Sequence, residues 1–135
     1  MTRRALDAGL ALTGAVVVLL TLLPDGTGWE WGAPLAELRW YATGLDSTAT
    51  MLQLVGNLLL LSPLAALAVL RWPELRAPGR LLLASGAAAA TIELLQWLLP
   101  LGRVVSPLDV LLNTTGAVLI GGLVLLLRDP APAAA

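Results

Sequence analysis

The sequence predicts an all-α integral membrane protein, a bundle of four transmembrane helices with a short interfacial helix in the first outer loop. Composition is the first ground. Of 135 residues, 58% are hydrophobic and 13% charged, against roughly 45–50% and 25% in soluble domains, and mean hydropathy is +0.85. Length is the second: the apolar residues fall into four runs of about 20, the number a helix rising about 1.5 Å per residue needs to cross a hydrocarbon core. The third is that in lipid an open chain satisfies all of its backbone N–H and C=O groups only as a helix.

The first run, residues 5–23 (ALDAGLALTGAVVVLLTLL), follows Arg3 and Arg4. A signal peptide would end at a small-residue cleavage site, whereas this chain continues as PDGTGWEW, so the run is expected to be a retained span. Asp7 is expected at its inner end beside Arg3 and Arg4, outside any site. Residues 24–50 hold Trp29, Trp31, Trp40 and Tyr41, amphipathic rings suited to the membrane–water interface. From Pro34 the spacing of Leu35, Leu38, Ala42 and Leu45 fits one helical face, with Glu37 and Arg39 turned elsewhere; this is the interfacial helix. The second run is 51–70, where Pro63 removes a backbone bond and predicts a kink. Runs 81–99 and 108–127 complete the four. Gly86 with Ala90, and Ala117 with Gly121, are small residues one turn apart that let helices approach closely. The tail at 129–135, DPAPAAA, is expected to be disordered.

Orientation follows from arginine alone, since lysine is absent. Four spans put Arg3, Arg4, Arg71, Arg76, Arg80 and Arg128 on one side and only Arg39 and Arg103 on the other. The positive-inside rule then makes both termini cytoplasmic in a multi-pass protein of the cell membrane. Histidine and cysteine are also absent, which removes disulfides, thiol nucleophiles, Cys/His zinc sites and imidazole bases. A net charge of -1 offers nucleic acid no basic face. No cofactor or metal site is expected, and the oligomeric state is left open.

Polar residues inside the spans gather near the outer side. Asn57 lies shortly after the start of the second span, Glu93 and Gln96 shortly before the end of the third, and Asp109 at the rim of the fourth with Asn113 a turn deeper. Glu93 and Gln96 are three apart, Asp109 and Asn113 four apart, so each pair shares a helix face. A carboxylate in a bilayer costs at least about 2.5–3.5 kcal/mol and normally faces a bundle interior with a partner. Arg103, in the short loop between the spans carrying Glu93 and Asp109, is the expected partner. Asn, Gln and Thr in spans often serve only as interhelical glue. Glue alone, however, does not require five polar groups and an arginine on one side of the membrane. The inner halves hold almost nothing but aliphatic residues, Gly, Ser and Thr.

The segments GNLLLLSPLA (56–65), IELLQ (92–96) and GRVVSPLDVLLNTTGAVLIG (102–121) resemble the VanZ-like family of bacterial membrane proteins. The family pattern runs from an Asn with a Pro six residues on, through E-x-x-Q and an Arg-bearing loop, to D-x-x-x-N-T-x-G. Here it falls on Asn57 and Pro63, on Glu93 and Gln96, on Arg103, and on Asp109, Asn113, Thr114 and Gly116. Two positions depart: Ser106 stands where the family often has Asp, and Ala65 where it usually has Gly. The resemblance implies a VanZ-like transmembrane domain over residues 1–128 and a part in the cell envelope, the family's namesake being associated with low-level resistance to teicoplanin, a glycopeptide antibiotic bearing an acyl tail.

The expected site is therefore an outer polar pocket of Asn57, Glu93, Gln96, Arg103, Asp109 and Asn113. Its expected ligand is a membrane lipid headgroup or a lipidated glycopeptide, with Glu93 and Asp109 holding Arg103 in place. The alternative is an intramembrane enzyme that uses the two carboxylates on a lipid-linked phosphate or sugar. Proton-coupled transport would put polar residues through both halves of the bundle, which this chain lacks.

Overall fold

The computed structural model describes residues 1–128; the expected disordered tail lies outside them. Helix α1 spans Arg3–Leu22, α2 Pro34–Thr43, α3 Thr48–Leu60, α4 Ser62–Arg71, α5 Pro78–Leu98 and α6 Pro107–Arg128, with a 3-10 turn at Pro73–Arg76. The four predicted spans are α1, α3 with α4, α5, and α6, each long and apolar enough to cross a membrane. The starts follow local chemistry. Thr2 Oγ1 accepts from the Ala5 N–H at 3.3 Å, and α2, α5 and α6 begin at prolines, whose missing N–H and fixed φ suit a helix's first turn.

The second span breaks as predicted. Leu61 separates α3 from α4, two residues before Pro63, which has no N–H to offer Leu59. The Ser62 hydroxyl donates to the Leu58 carbonyl at 2.8 Å, satisfying an acceptor at the break. Helix α6 lies centrally against α3, α4 and α5, while α1 packs on α4 and α5. Val17, Leu61, Ala65, Val69, Leu81, Ala89 and Ala117 form the buried core. Large apolar side chains such as Leu12, Leu83, Leu111 and Leu126 point outward, as lipid-facing residues should.

Close packing is tightest at Gly116. A Cβ there would lie 1.7 Å from the Leu58 carbonyl oxygen, so α6 meets α3 backbone to backbone beside the kink. At Gly121 a Cβ would meet Leu81 at 3.0 Å, whereas at Gly86 the nearest atoms are Thr114's at 3.9 Å. The expected contact at Ala117 and Gly121 is thus present, and that at Gly86 is loose.

One feature was not expected. Trp29–Trp31 (β1) and Arg103–Val105 (β2) pair in parallel, Trp29 opposite Arg103 and Trp31 opposite Val105. Backbone bonds from Asp25 N to Leu101 O and from Gly102 N to Gly28 O, both 2.8 Å, extend the join. Gly102 has φ +69°, and a Cβ on it would collide with the backbone of Gly26, so the two loops touch where only glycine fits. The connection between α1 and α2 is thereby stitched to the α5–α6 connection at one end of the bundle, called here the loop end.

Helix α2 lies at that end against α3 and α6. Its predicted apolar face is the exposed one: Leu35, Leu38 and Ala42 point away from the protein, and the helix ends at Thr43, before the also exposed Leu45. Glu37 and Tyr41, four apart on the other face, turn into the bundle, Tyr41 being buried.

Candidate functional site

The site is organised by the first turn of α6. Ser106 is its N-cap: the hydroxyl oxygen accepts from Leu108 N at 3.1 Å and Asp109 N at 3.3 Å, the two amides a capping side chain serves. The same hydroxyl donates to Glu37 Oε2, tying α2 to the cap. The Ser106 backbone N–H donates to Glu93 Oε2 at 2.7 Å. In a capping box that N–H would be taken by the acid three residues on, which is Asp109. Here Glu93 of α5 takes it from across the helix interface, and the Asp109 carboxylate is left free to face inward.

Asp109 is accordingly buried rather than at the rim, because α2 covers it. Its Oδ1 accepts from Asn57 Nδ2 and its Oδ2 from Gln53 Nε2 at 3.5 Å. Asn113, 2% exposed, donates through Nδ2 to the Asp109 main-chain oxygen at 2.8 Å. Tyr41 of α2 lies against Asn57; burial pushes its phenol up to about 12, and the Asp109 and Glu37 carboxylates add to the shift. The phenol therefore stays neutral at any physiological pH.

Two further groups reach across to the end of α1. Gln96 Nε2 donates to the Thr21 carbonyl at 3.0 Å. Arg103 donates through Nε at 3.3 Å and Nη2 at 2.9 Å to the Leu23 carbonyl. This corrects the expectation that Arg103 pairs with Glu93 or Asp109. The β1–β2 pairing fixes its backbone beside the C-terminus of α1, where an unsatisfied carbonyl and the negative end of the helix dipole attract a guanidinium. Among the described residues the ion pair present is Asp7 with Arg71, at 2.6 Å, so Asp7 turns to the start of the α4–α5 connection rather than to Arg3 and Arg4.

Asn57, Glu93, Gln96, Arg103, Asp109 and Asn113 all line one cavity of about 380 Å³, with Asp25, Gln53 and Thr21 added to the wall. Arg103 and Asp25 stand at its mouth by the loops. Below it an apolar groove of about 420 Å³ runs between α1 and the kinked second span, past Val16, Val17, Leu59 and Pro63. Leu20, Gly56 and Leu60 line both, so the polar cavity and the groove adjoin across these three residues. Helix α1 packs on α4 more than on α3, and the break at Leu61 lets α3 diverge from it.

Sequence reasoning missed Gln53, Glu37 and Tyr41. Glu37 and Tyr41 carried a signal, being four apart and opposite the apolar stripe of α2. Ser106 appeared only as a departure from a pattern, although Ser-Pro-Leu-Asp spells an N-cap, a first-turn Pro and a first-turn acid. Gln53 lies four residues before Asn57, on the same helix face.

No group of three or more acidic residues among those described is arranged to hold a metal ion. No curated protein and no solved structure shows significant similarity to the chain. The sequence model of the family described as VanZ/LLP1 matches residues 10–128, taking in most of the first span, the other three whole and every residue of the cavity, and the chain belongs to that family of multi-pass membrane proteins.

Proposed function

We propose that this protein recognises an amphiphile at the outer leaflet of the cell membrane, holding its headgroup in the polar cavity and its acyl chain in the adjoining groove. The observation that carries the reading is that the two adjoin, polar above and apolar below, at Leu20, Gly56 and Leu60. A water-soluble ligand would need no such groove. The six arginines at the terminal end and the connection between α4 and α5 favour the cytoplasm for that end, which directs the cavity outward. Arg103 at the mouth suits the anionic or polar shoulder of a headgroup, and the carboxamides suit its orientation. A lipidated glycopeptide such as teicoplanin has the same two parts.

Gly56 provides the test. A Cβ there meets nothing within 4 Å, so a side chain can start there without collision, and Gly56→Leu adds apolar bulk where cavity and groove adjoin. Expressed in a susceptible Gram-positive host, the wild-type protein should reduce sensitivity to teicoplanin more than to vancomycin, which lacks the acyl tail. Gly56→Leu at unchanged abundance should lose that difference. Equal protection against both drugs would refute the acyl-chain reading. An enzyme using Asp109 as acid or base would instead lose about 10²–10⁴-fold in rate with Asp109→Asn, erasing protection altogether.

A further inference from the structure

A separate cavity of about 480 Å³ lies toward the opposite end of the bundle, lined among others by Leu10 and Ala11 of α1, Ala68 of α4 with Trp72 after it, and Ala84 and Ala88 of α5. Apart from the Trp72 ring and the Ser85 hydroxyl, its lining is aliphatic. Ser85 is 6% exposed, yet its side chain makes no hydrogen bond among the described residues. Thr13, Thr21, Ser62, Thr91 and Thr114, by contrast, each donate to the carbonyl four residues back. The unpartnered polar side-chain atoms sealed from all access are Thr50 Oγ1 and Asn113 Oδ1, so the Ser85 hydroxyl is open to an occupant.

Each helix that supplies this lining carries arginine at the same end and on the same face. Arg3 lies seven residues before Leu10, Arg71 three after Ala68, and Arg80 four before Ala84, spacings that share a helix face. Arg76 directly follows Leu75, which also lines the cavity. The Arg71 guanidinium carbon stands 5.7 Å from the centre of the Trp72 ring and gives its Nε to Asp7. Among the described residues Asp7 and Glu74 are the acids at this end, so arginine outnumbers them. The positive-inside rule accounts for arginines on one side of the membrane, but not for their alignment with one cavity. We propose that this cavity holds an acyl chain of an anionic phospholipid, whose phosphate lies among Arg71, Arg76 and Arg80. Guanidinium forks match phosphate oxygens, and basic pockets between spans on this side suit anionic headgroups. The chain runs the way a lipid tail must: along α5 the lining goes from Leu81 to Ala88, about 10 Å further from the arginines at about 1.5 Å per residue. Ser85 lies about 7.5 Å deeper than Arg80 on the same scale, where an ester carbonyl follows the phosphate and can accept its proton.

Trp72 is the reporter, since Trp29, Trp31, Trp40 and Trp97 all belong to the loop end. The full-length protein is reconstituted in phosphatidylcholine vesicles in which a fixed minor fraction is phosphatidylglycerol or phosphatidylcholine brominated on its acyl chains. The quenching that disappears in Trp72→Phe is then compared between the two lipids. Phosphatidylglycerol should be preferred by at least about tenfold, and Arg80→Gln should lower the preference about fivefold. Ala84→Leu and Ala11→Leu, both at exposed positions, fill the cavity from two helices without touching an arginine, and each should remove most of the preference. Equal quenching by the two lipids in the wild type, or none by either, would overturn the proposal. A preference that both leucine variants keep would show attraction to a charged surface without a site. One that survives Arg76→Gln and Arg80→Gln together would remove the phosphate from the arginines, and either result would sink the assignment.

Discussion

Gly116→Ala is the sharpest perturbation of this fold, because it adds one methyl group where there is no room for it. The new Cβ would stand 1.7 Å from Leu58 O, 2.6 Å from its carbonyl carbon and 3.0 Å from its Cα. A carbon and a carbonyl oxygen rest about 3.3 Å apart or more, so α6 and α3 must separate by roughly 1.5 Å along that contact. The obstacle is backbone, and no rotamer relieves it. Asp109 lies two turns earlier on α6 and Asn57 directly precedes Leu58, so the same movement pulls at the Asn57–Asp109 hydrogen bond. Overpacking typically costs about 1–3 kcal/mol where side chains can yield, and a strained or lost hydrogen bond adds about 1 kcal/mol. A loss of about 3 kcal/mol or more is expected, read as unfolding in mixed micelles with increasing denaturing detergent. Gly122→Ala is the control: its Cβ meets nothing within 4 Å, so the helix preference of Ala should leave stability unchanged or raise it by up to about 1 kcal/mol. Equal stability of the two variants would refute the close approach of α3 and α6.

Three shorter predictions follow from the same geometry. Ser106→Ala should cost about 1–2 kcal/mol through loss of the α6 cap. Ser106→Asp keeps the cap but sets a carboxylate against Glu37, so Glu37→Gln should recover stability lost in that variant; purely additive losses would mean that the two groups do not meet. Tyr41 is the chain's one tyrosine, so absorbance near the phenolate band should titrate at about 12 in the folded protein against 10.0 ordinarily. Since folding raises the pKa of an acid that is neutral below it, stability should be unaffected below pH 10 and fall between 10 and 12 as the unfolded chain ionises first; a phenol titrating near 10 in the folded state would show α2 undocked. For the topology, a membrane-impermeant maleimide should label Thr27→Cys on intact cells and Ala77→Cys only after lysis. Labelling of Ala77→Cys on intact cells would turn the cavity to the cytoplasm.

The spans, the kink and six of the residues that line the cavity were legible because each rests on local pattern. Length and hydropathy mark a span, Pro63 marks a break, and an intramembrane Glu or Asp marks an interior. What was not legible depends on which backbone groups two distant segments leave unsatisfied. Arg103 looked like a counter-ion because Glu93 and Asp109 were the nearest charges in sequence. It goes to Leu23 instead, because a three-residue strand pairing brings residue 103 beside the end of α1, and neither strand is long enough to show alternation. Spacing marked Gly86 as a packing glycine and Gly116 only as a position of the family pattern, yet Gly116 meets backbone and Gly86 only the edge of a side chain.

The presence of a glutamate amid alanine and leucine in α5 follows from the same turn of α6. A helix that starts inside a membrane protein has amide donors to satisfy, and water is scarce there. Ser106 satisfies two with its hydroxyl, but its own N–H still needs an acceptor. If Asp109 supplied it, as a capping box would, the carboxylate would curl back onto its own helix and leave Asn57 and Gln53 without their partner. Glu93 supplies it from α5, which fastens the third span to the fourth and releases Asp109 toward the cavity. Serine rather than aspartate at 106 fits this arrangement, since a hydroxyl donates to Glu37 while accepting from the helix, whereas an ionised aspartate could only accept and would have no proton to give the Glu37 carboxyl. The burial of two carboxylates in this chain is thus tied to the neutral residue between them.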